Sequence, residues 1–168
     1  MIEWLDIVDE NDIVIGRAPR DQIHAENHFH RSSHVLVFNS QGEVFVQLRS
    51  MSKDNSPGLW DTSAAGHVDS GEDYLECAVR ELAEELGVSS SPVTLKYVSC
   101  LPPGAHNGFE FTRIFTLISD EVLLLQPEEV DDGRWLSPTE LEAWIEEDRA
   151  IFTDSFLTIW RLVRPLTS

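Results

Sequence analysis

Gly66-His67-Val68-Asp69-Ser70-Gly71-Glu72-Asp73-Tyr74-Leu75-Glu76-Cys77-Ala78-Val79-Arg80-Glu81-Leu82-Ala83-Glu84-Glu85-Leu86-Gly87-Val88 is the most regular stretch of the chain. Residues 71–86 read as a helix. Ser70 is a good N-cap, and Asp73 three positions on completes a capping-box-like pair. Gly87 stands where a helix stop is expected. At about 100° per residue from Glu81, Glu84 falls at about −60° and Glu85 at about +40°, so three carboxylates share one face. Leu75, Val79, Leu82 and Leu86 form an apolar stripe on the other side. The helix is expected to pack that stripe on a sheet and to aim the carboxylates outward. Three like charges so close raise at least one pKa unless a counter-charge arrives. Arg80 is one counter-charge, and a divalent cation is a stronger one. A hard cation such as Mg²⁺ takes oxygen ligands, and a few carboxylates plus substrate phosphate oxygens are its usual enzyme setting. Cys77 lies on the carboxylate side, with no base or cation partner that would make it a nucleophile.

Outward from this helix, residues 4–9 and 13–16 read as short strands, and 19–27 as a short helix. Residues 34–38 and 43–49 read as strands joined by Asn39-Ser40-Gln41-Gly42. In the second, Val44, Val46 and Leu48 share one face, and Phe45, Gln47 and Arg49 the other. A small-residue strand ends near Gly66. Strands are expected at 94–100 and 109–118, and amphipathic helices at 138–147 and 153–163, the former opened by Ser137-Pro138. Strands and helices in irregular order give an α/β layered domain with a mixed sheet.

The 168 residues fit one domain. Thirty acidic against twelve basic residues leave a net charge of −18, which disfavours nucleic-acid polymers and anionic membranes as partners. A phosphorylated small molecule is compatible only if a cation stands between it and the protein. Two cysteines, Cys77 and Cys100, are too few for a disulfide framework. The acidic N-terminus lacks the features of a signal peptide and no run of 18 apolar residues occurs, so a cytoplasmic protein is expected.

An acidic helix face alone is more often merely solvated. The whole string tips the balance: Gly66, five residues, Glu72, seven residues, then Arg80-Glu81-Leu82-Ala83-Glu84-Glu85-Leu86-Gly87-Val88. Coincidence at all nine specified positions is below roughly one in ten million windows. The string matches the signature of the Nudix family in full, and the surrounding element order resembles the Nudix α/β/α sandwich with a mixed central sheet over residues 1–168. The resemblance implies a hydrolase that uses Mg²⁺, or Mn²⁺, to cleave the diphosphate of a nucleoside diphosphate-X or related small molecule. It makes Glu81, Glu84 and Glu85 the metal ligands, with Arg80 orienting them. Glu72 would brace the loop or reach the metal through water, and Gly66 would let the backbone approach metal and phosphate. The base that activates water is Glu84 or Glu85, or Glu128 from the acidic loop Pro127-Glu128-Glu129-Val130-Asp131-Asp132.

Trp60-Asp61-Thr62-Ser63-Ala64-Ala65-Gly66-His67 further resembles isopentenyl diphosphate isomerases, in which a proton-transferring cysteine stands where this chain has Ala65. Alanine moves no proton, and the motif is complete, so hydrolysis is favoured over isomerisation. A non-catalytic nucleotide-binding module is the third reading. The isomerase also has a histidine-rich metal site, to which His24, His30, His67 and Glu110 correspond, while its second late glutamate falls at Gly108. Arg49 and Lys53 are the basic residues placed by resemblance to reach a terminal phosphate, with His67 beside them. Phe45, Trp60, Phe109 and Phe111 are candidates to wall a pocket or stack on a base. Exposed faces of Trp144 or Trp160 would serve a homodimer.

Overall fold

The computed structural model describes residues 1–166, and every side chain from Ser32 to Phe38 in it is buried. The strand that carries them, β3 (His30–Phe38), is therefore covered on both faces. Val35 and Val37 point into a core shared with α2 (Tyr74–Leu86), through Tyr74, Ala78, Leu82 and Leu86. Leu36 and Phe38 point into a second core, filled by Phe156, Ile159 and Trp160 of α4 (Asp154–Val163) and Leu141 of α3 (Pro138–Glu147). Alternate side chains of one strand thus feed two helical layers, which gives the expected α/β/α sandwich.

The sheet runs β5 (Trp60–Asp61), β4 (Val44–Arg49), β3, β8 (Glu110–Ile118), β7 (Lys96–Leu101). β6 (Ala64–His67) also pairs with β3, and β9 (Val130–Leu136) with β4. β3 and β8 are parallel from His30↔Glu110 to Phe38↔Ile118, and the other pairings are antiparallel, so the sheet is mixed. The N-terminal strands β1 (Trp4–Val8) and β2 (Val14–Pro19) form a separate ribbon, followed by α1 (Arg20–Glu26). No helix among the described residues is long and apolar enough to cross a membrane.

The expected turn after β3 closes through Asn39 and Gly42, but β3 and β4 share only the register pair Phe38↔Val44. Beyond it the strands splay, and the Ser63 hydroxyl spans the gap, donating to the Phe45 carbonyl at 2.6 Å and accepting from the Val37 amide at 2.8 Å. β6 enters through this opening, which brings Ala65 and Gly66 against α2.

Four expectations are corrected. Helix α2 begins at Tyr74, with Asp73 as its N-cap: the Asp73 carboxylate accepts from the Leu75 and Glu76 amides at 2.8 Å, while Glu76 reaches back to the Asp73 amide. A carboxylate at the positive end of the helix is favoured over the Ser70 hydroxyl, which instead donates to Asp6 on β1. Gly87 is the C-cap as expected, at φ +65°. Secondly, Val130-Asp131-Asp132, expected as the end of an acidic loop, open the strand β9. It pairs with β4, and Gly133 leaves room for the Phe45 ring, which a Cβ would meet at 2.0 Å. Thirdly, Trp160 is buried and donates its indole N–H to Glu142, and Trp144 packs on Trp60 and Phe152 under the Arg134 guanidinium. Trp160 is therefore a core residue with no exposed face to offer, and Trp144 is half-buried against the same core. Finally, Phe45 and Trp60 are buried in the two cores, and neither lines the cleft that holds the motif carboxylates.

Gly133→Ala should destabilise the protein by about 1–3 kcal/mol, because the Phe45 ring can yield only by disturbing its packing on Trp135. Urea unfolding of the two proteins measures the difference.

Candidate active site

Arg80 holds the site together. It sits on α2 one turn before Glu84 and next to Glu81, and its planar guanidinium spreads over groups of the loop, the helix and β6. Nε and Nη2 form a two-pronged pair with the Glu72 carboxylate at 2.8 and 2.9 Å. Nη1 donates to Glu81 at 2.6 Å and to Glu84 at 3.3 Å. Nη2 also donates to the His67 carbonyl at 2.9 Å, which ties the helix to β6. Glu72 in turn accepts from the Asp69 amide, which ties the loop before α2 to the same arginine.

The expected outward aim of the carboxylates holds only for Glu84, whose side chain is 58% exposed. Glu81 and Glu85 are buried, because β6 crosses that face of the helix and the segment after β8 folds along it, the Gln126 amide donating to the Glu85 carbonyl. Gly66 makes the crossing possible. A Cβ there would stand 1.9 Å from Glu81 Oε1, so glycine is required by the carboxylate itself. The Glu85 carboxylate accepts from the side-chain amide of Gln47 on β4 and, at 3.4 Å, from the Ala65 amide. Burial pushes the Glu81 carboxyl up to about 7, against the pull of Arg80 and with the help of Glu84. Burial, then the neighbouring Glu81 charge, drives Glu85 well above the usual carboxylate range. Two buried acids side by side are an all-oxygen donor set short of positive charge, and a divalent cation of the Mg²⁺ kind fits it. Cys77 is buried beside them, its thiol donating to the Gly66 and His67 carbonyls, and burial raises its pKa, so it is no nucleophile.

Ala65, Gly66, Arg80, Glu81, Glu84 and Glu85 line a cleft of about 1280 Å³. Arg49, Lys53, His67 and Glu128 line it too, but the two basic residues are engaged. Arg49 pairs with Asp61 at 3.4 Å and grips the Asn55 carbonyl at 2.8 and 3.1 Å, and Lys53 pairs with Glu129. They shape the 50–56 loop in this state. Glu128 is exposed, with its main-chain carbonyl anchored by the Ser52 hydroxyl. Sequence reasoning missed Gln47, which it assigned only to a strand face. It also missed Asp61, which accepts from the Thr153 hydroxyl and joins β5 to the start of α4. Neither has a motif, because each acts through a contact across many residues of chain.

A second cluster stands at the other end of β6. The rings of His24, His30 and His67 lie 5.1–5.2 Å apart, with one ring nitrogen of each within 4.8 Å of the others. His67 Nε2 meets Glu110 at 3.1 Å, and His30 Nε2 lies 3.6 Å from the same oxygen. His24 Nε2 is buried without a hydrogen-bond partner. Burial opposes a charge on His67, but Glu110 and Glu3 outweigh it and lift its pKa to about 9. Burial, then the fields of His67 and His30, pushes His24 down to about 4. Glu110 pays the desolvation of burial yet is held well below the usual range by His30 and His67. His28 and His34 stand apart, bonded to Glu26 and Thr62. A side chain at Gly108 would approach Glu110, since a Cβ there lies 3.7 Å from its Oε1.

The family model described as NUDIX domain matches residues 28–156. An uncharacterized Nudix hydrolase of Yersinia pestis is 38% identical over 155 residues, covering 88% of this chain and 80% of that one. An isopentenyl-diphosphate Delta-isomerase of Serratia proteamaculans is 34% identical over 166 residues, covering 96% and 91%. A crystal structure from Deinococcus radiodurans superposes with a TM-score of 0.78 at 30% identity, covering 95% of this chain and 99% of that one. With the motif residues gathered around Arg80 and relatives matched over most of both lengths, the chain belongs to the Nudix hydrolase family.

Proposed function

We propose that this chain is a Mg²⁺-dependent hydrolase, with Mn²⁺ as an alternative ion, that cleaves the phosphoric anhydride of a nucleoside diphosphate-X. The observation that carries the reading is the buried Glu81–Glu85 pair, with Glu84 exposed beside it at the floor of the cleft. When bound there, the cation neutralises phosphate oxygens and stabilises charge on the leaving phosphate. The protein does the rest. Arg80 fixes Glu81 and Glu84, Glu72 fixes Arg80, and Gln47 with the Ala65 amide sets the Glu85 carboxylate. Glu84, the carboxylate open to solvent, takes the proton of the attacking water as its oxygen bonds to phosphorus. Glu85 and Glu128 are the other candidates for this base. The bond between phosphorus and the bridging oxygen breaks, and two phosphate products leave.

A second reading, isomerisation of an isopentenyl diphosphate, is favoured by the assembled His24–His30–His67–Glu110 cluster, whose nitrogen donors suit a transition metal. Ala65 opposes it, because a methyl group exchanges no proton. Isopentenyl diphosphate incubated in heavy water with Mn²⁺ or Zn²⁺ should yield no dimethylallyl isomer and gain no deuterium by mass spectrometry. Formation of either product would establish isomerisation instead.

Glu84→Gln and Glu85→Gln should each lower kcat by about 10²- to 10⁴-fold in a metal-supplemented assay of nucleoside monophosphate release. Full activity in both variants would sink the hydrolase assignment.

Protonation supplies a further check. Between pH 4.5 and about 7 the folded, metal-free protein keeps a proton on Glu81 that the unfolded chain releases. Its stability should therefore fall as pH rises through that window. Melting temperatures should show a flatter pH profile for Glu81→Gln. Mg²⁺ binding to the wild type should release protons near pH 6.5, read by calorimetry in two buffers of different ionisation enthalpy.

A further inference from the structure

The loop that closes one side of the cleft, residues 102–109, carries a strained aromatic residue. Phe109 has φ +64°, directly after Gly108 at φ +70°. For a bulky side chain the left-handed region is an outlier, and such outliers persist where the surroundings impose them and a function uses them. The surroundings are plain. The Phe109 amide donates to the Gly104 carbonyl at 2.9 Å, its carbonyl accepts from the His30 amide at 3.3 Å, and the Asn107 side chain binds the Pro102 and Glu110 carbonyls. Phe109 belongs to none of the hydrophobic cores, whereas Phe111 two residues on packs against the core beneath α2. Phe29 stacks on Phe109 with ring centres 6.4 Å apart and planes 19° from parallel, which stiffens it.

Phe109 is also the one large apolar side chain among the described residues that line the cleft. A branched hydrocarbon tail needs an apolar wall on several sides to leave water. A nucleobase needs one flat aromatic face for its π surface and polar groups for its edge. Asn27 and His106 line the same cleft and offer hydrogen bonds for such an edge. We infer that Phe109 is the stacking platform for the base of a nucleoside diphosphate substrate, and that it sets the preference of the cleft for nucleotides over isoprenoid diphosphates. The inference rests on the hydrolase reading above, and names the residue that selects its substrate.

The test compares wild type with Phe109→Gly and Phe109→Tyr. Glycine at φ +64° removes the ring and the strain together, so that variant folds at least as well, which its melting temperature checks. Two kinds of readout are taken. The first is the fluorescence of 2-aminopurine riboside 5′-diphosphate, which falls when the base stacks. The second is steady-state hydrolysis, with Mg²⁺, of ADP-ribose and of 5-phosphoribosyl 1-diphosphate, a diphosphate ester without a base. The wild type and Phe109→Tyr should quench the probe and Phe109→Gly should not. For Phe109→Gly, KM for ADP-ribose should rise about tenfold with kcat little changed, and KM for the base-free substrate should stay constant. Quenching that persists in Phe109→Gly, or equal KM changes for both substrates, would overturn the platform while leaving the hydrolase intact. Absence of turnover on both substrates, with quenching that depends on Phe109, would support the platform and count against the hydrolase reading.

Discussion

The burial of two adjacent carboxylates, Glu81 and Glu85, is the constraint around which the rest is arranged. Each brings a desolvation cost that only partners or a cation can offset. Arg80 reaches Glu81 but not Glu85, whose carboxylate accepts from the amides of Gln47 and Ala65. The splay of β3 and β4 admits β6, β6 supplies the Ala65 amide, and Gly66 clears the space that Glu81 fills. Sheet geometry and site chemistry are therefore one arrangement: closing the gap between β3 and β4 with a regular ladder would exclude the strand that covers the acids.

Net charge takes on a different meaning in this light. Much of the −18 is spread over surface residues such as Glu76, Glu121 and Glu147. The charges that matter are those that cannot be fully ionised where they stand. A bare cleft floored by Glu81, Glu84 and Glu85 repels a diphosphate, and the basic residues near it, Arg49 and Lys53, are neutralised by Asp61 and Glu129. On the proposed reading, attraction of a polyanionic substrate would fall to a cation held by these acids, together with Arg80.

The sequence was most informative where spacing along one helix equals proximity in space. Arg80, Glu81, Glu84 and Glu85 could be placed together from a 3.6-residue period alone, and Gly87 as a helix stop from its lack of a Cβ. It was least informative where proximity comes from tertiary pairing. Gln47 meets Glu85 across 38 residues, Thr153 meets Asp61 across 92, and nothing local marks either. The burial of the acidic face was missed because periodicity describes an isolated helix, and the covering strand arrives from outside it. β9 was missed because the acidic run through Asp132 reads as a loop, while the strand is set by pairing with β4 and Gly133 answers to the Phe45 ring there.

β6 links the two polar clusters through consecutive residues. Gly66 faces Glu81, and His67 carries its ring to Glu110 while its carbonyl receives Arg80. The acidic cluster and the histidines are therefore joined through a single peptide unit. The two departures from the isomerase pattern, Ala65 and Gly108, fall on this same path, one beside Glu85 and the other beside Glu110. Each replaces a side chain able to carry a proton by one that cannot, yet each leaves the backbone and the neighbouring acid in place. What remains is a scaffold that retains its three motif carboxylates and its histidine cluster, with no side chain able to carry a proton at positions 65 and 108. Hydrolysis asks less of such a site: one water, one base and a neutralised phosphate, all of which can be assembled around Glu84 without a residue at either vacated position.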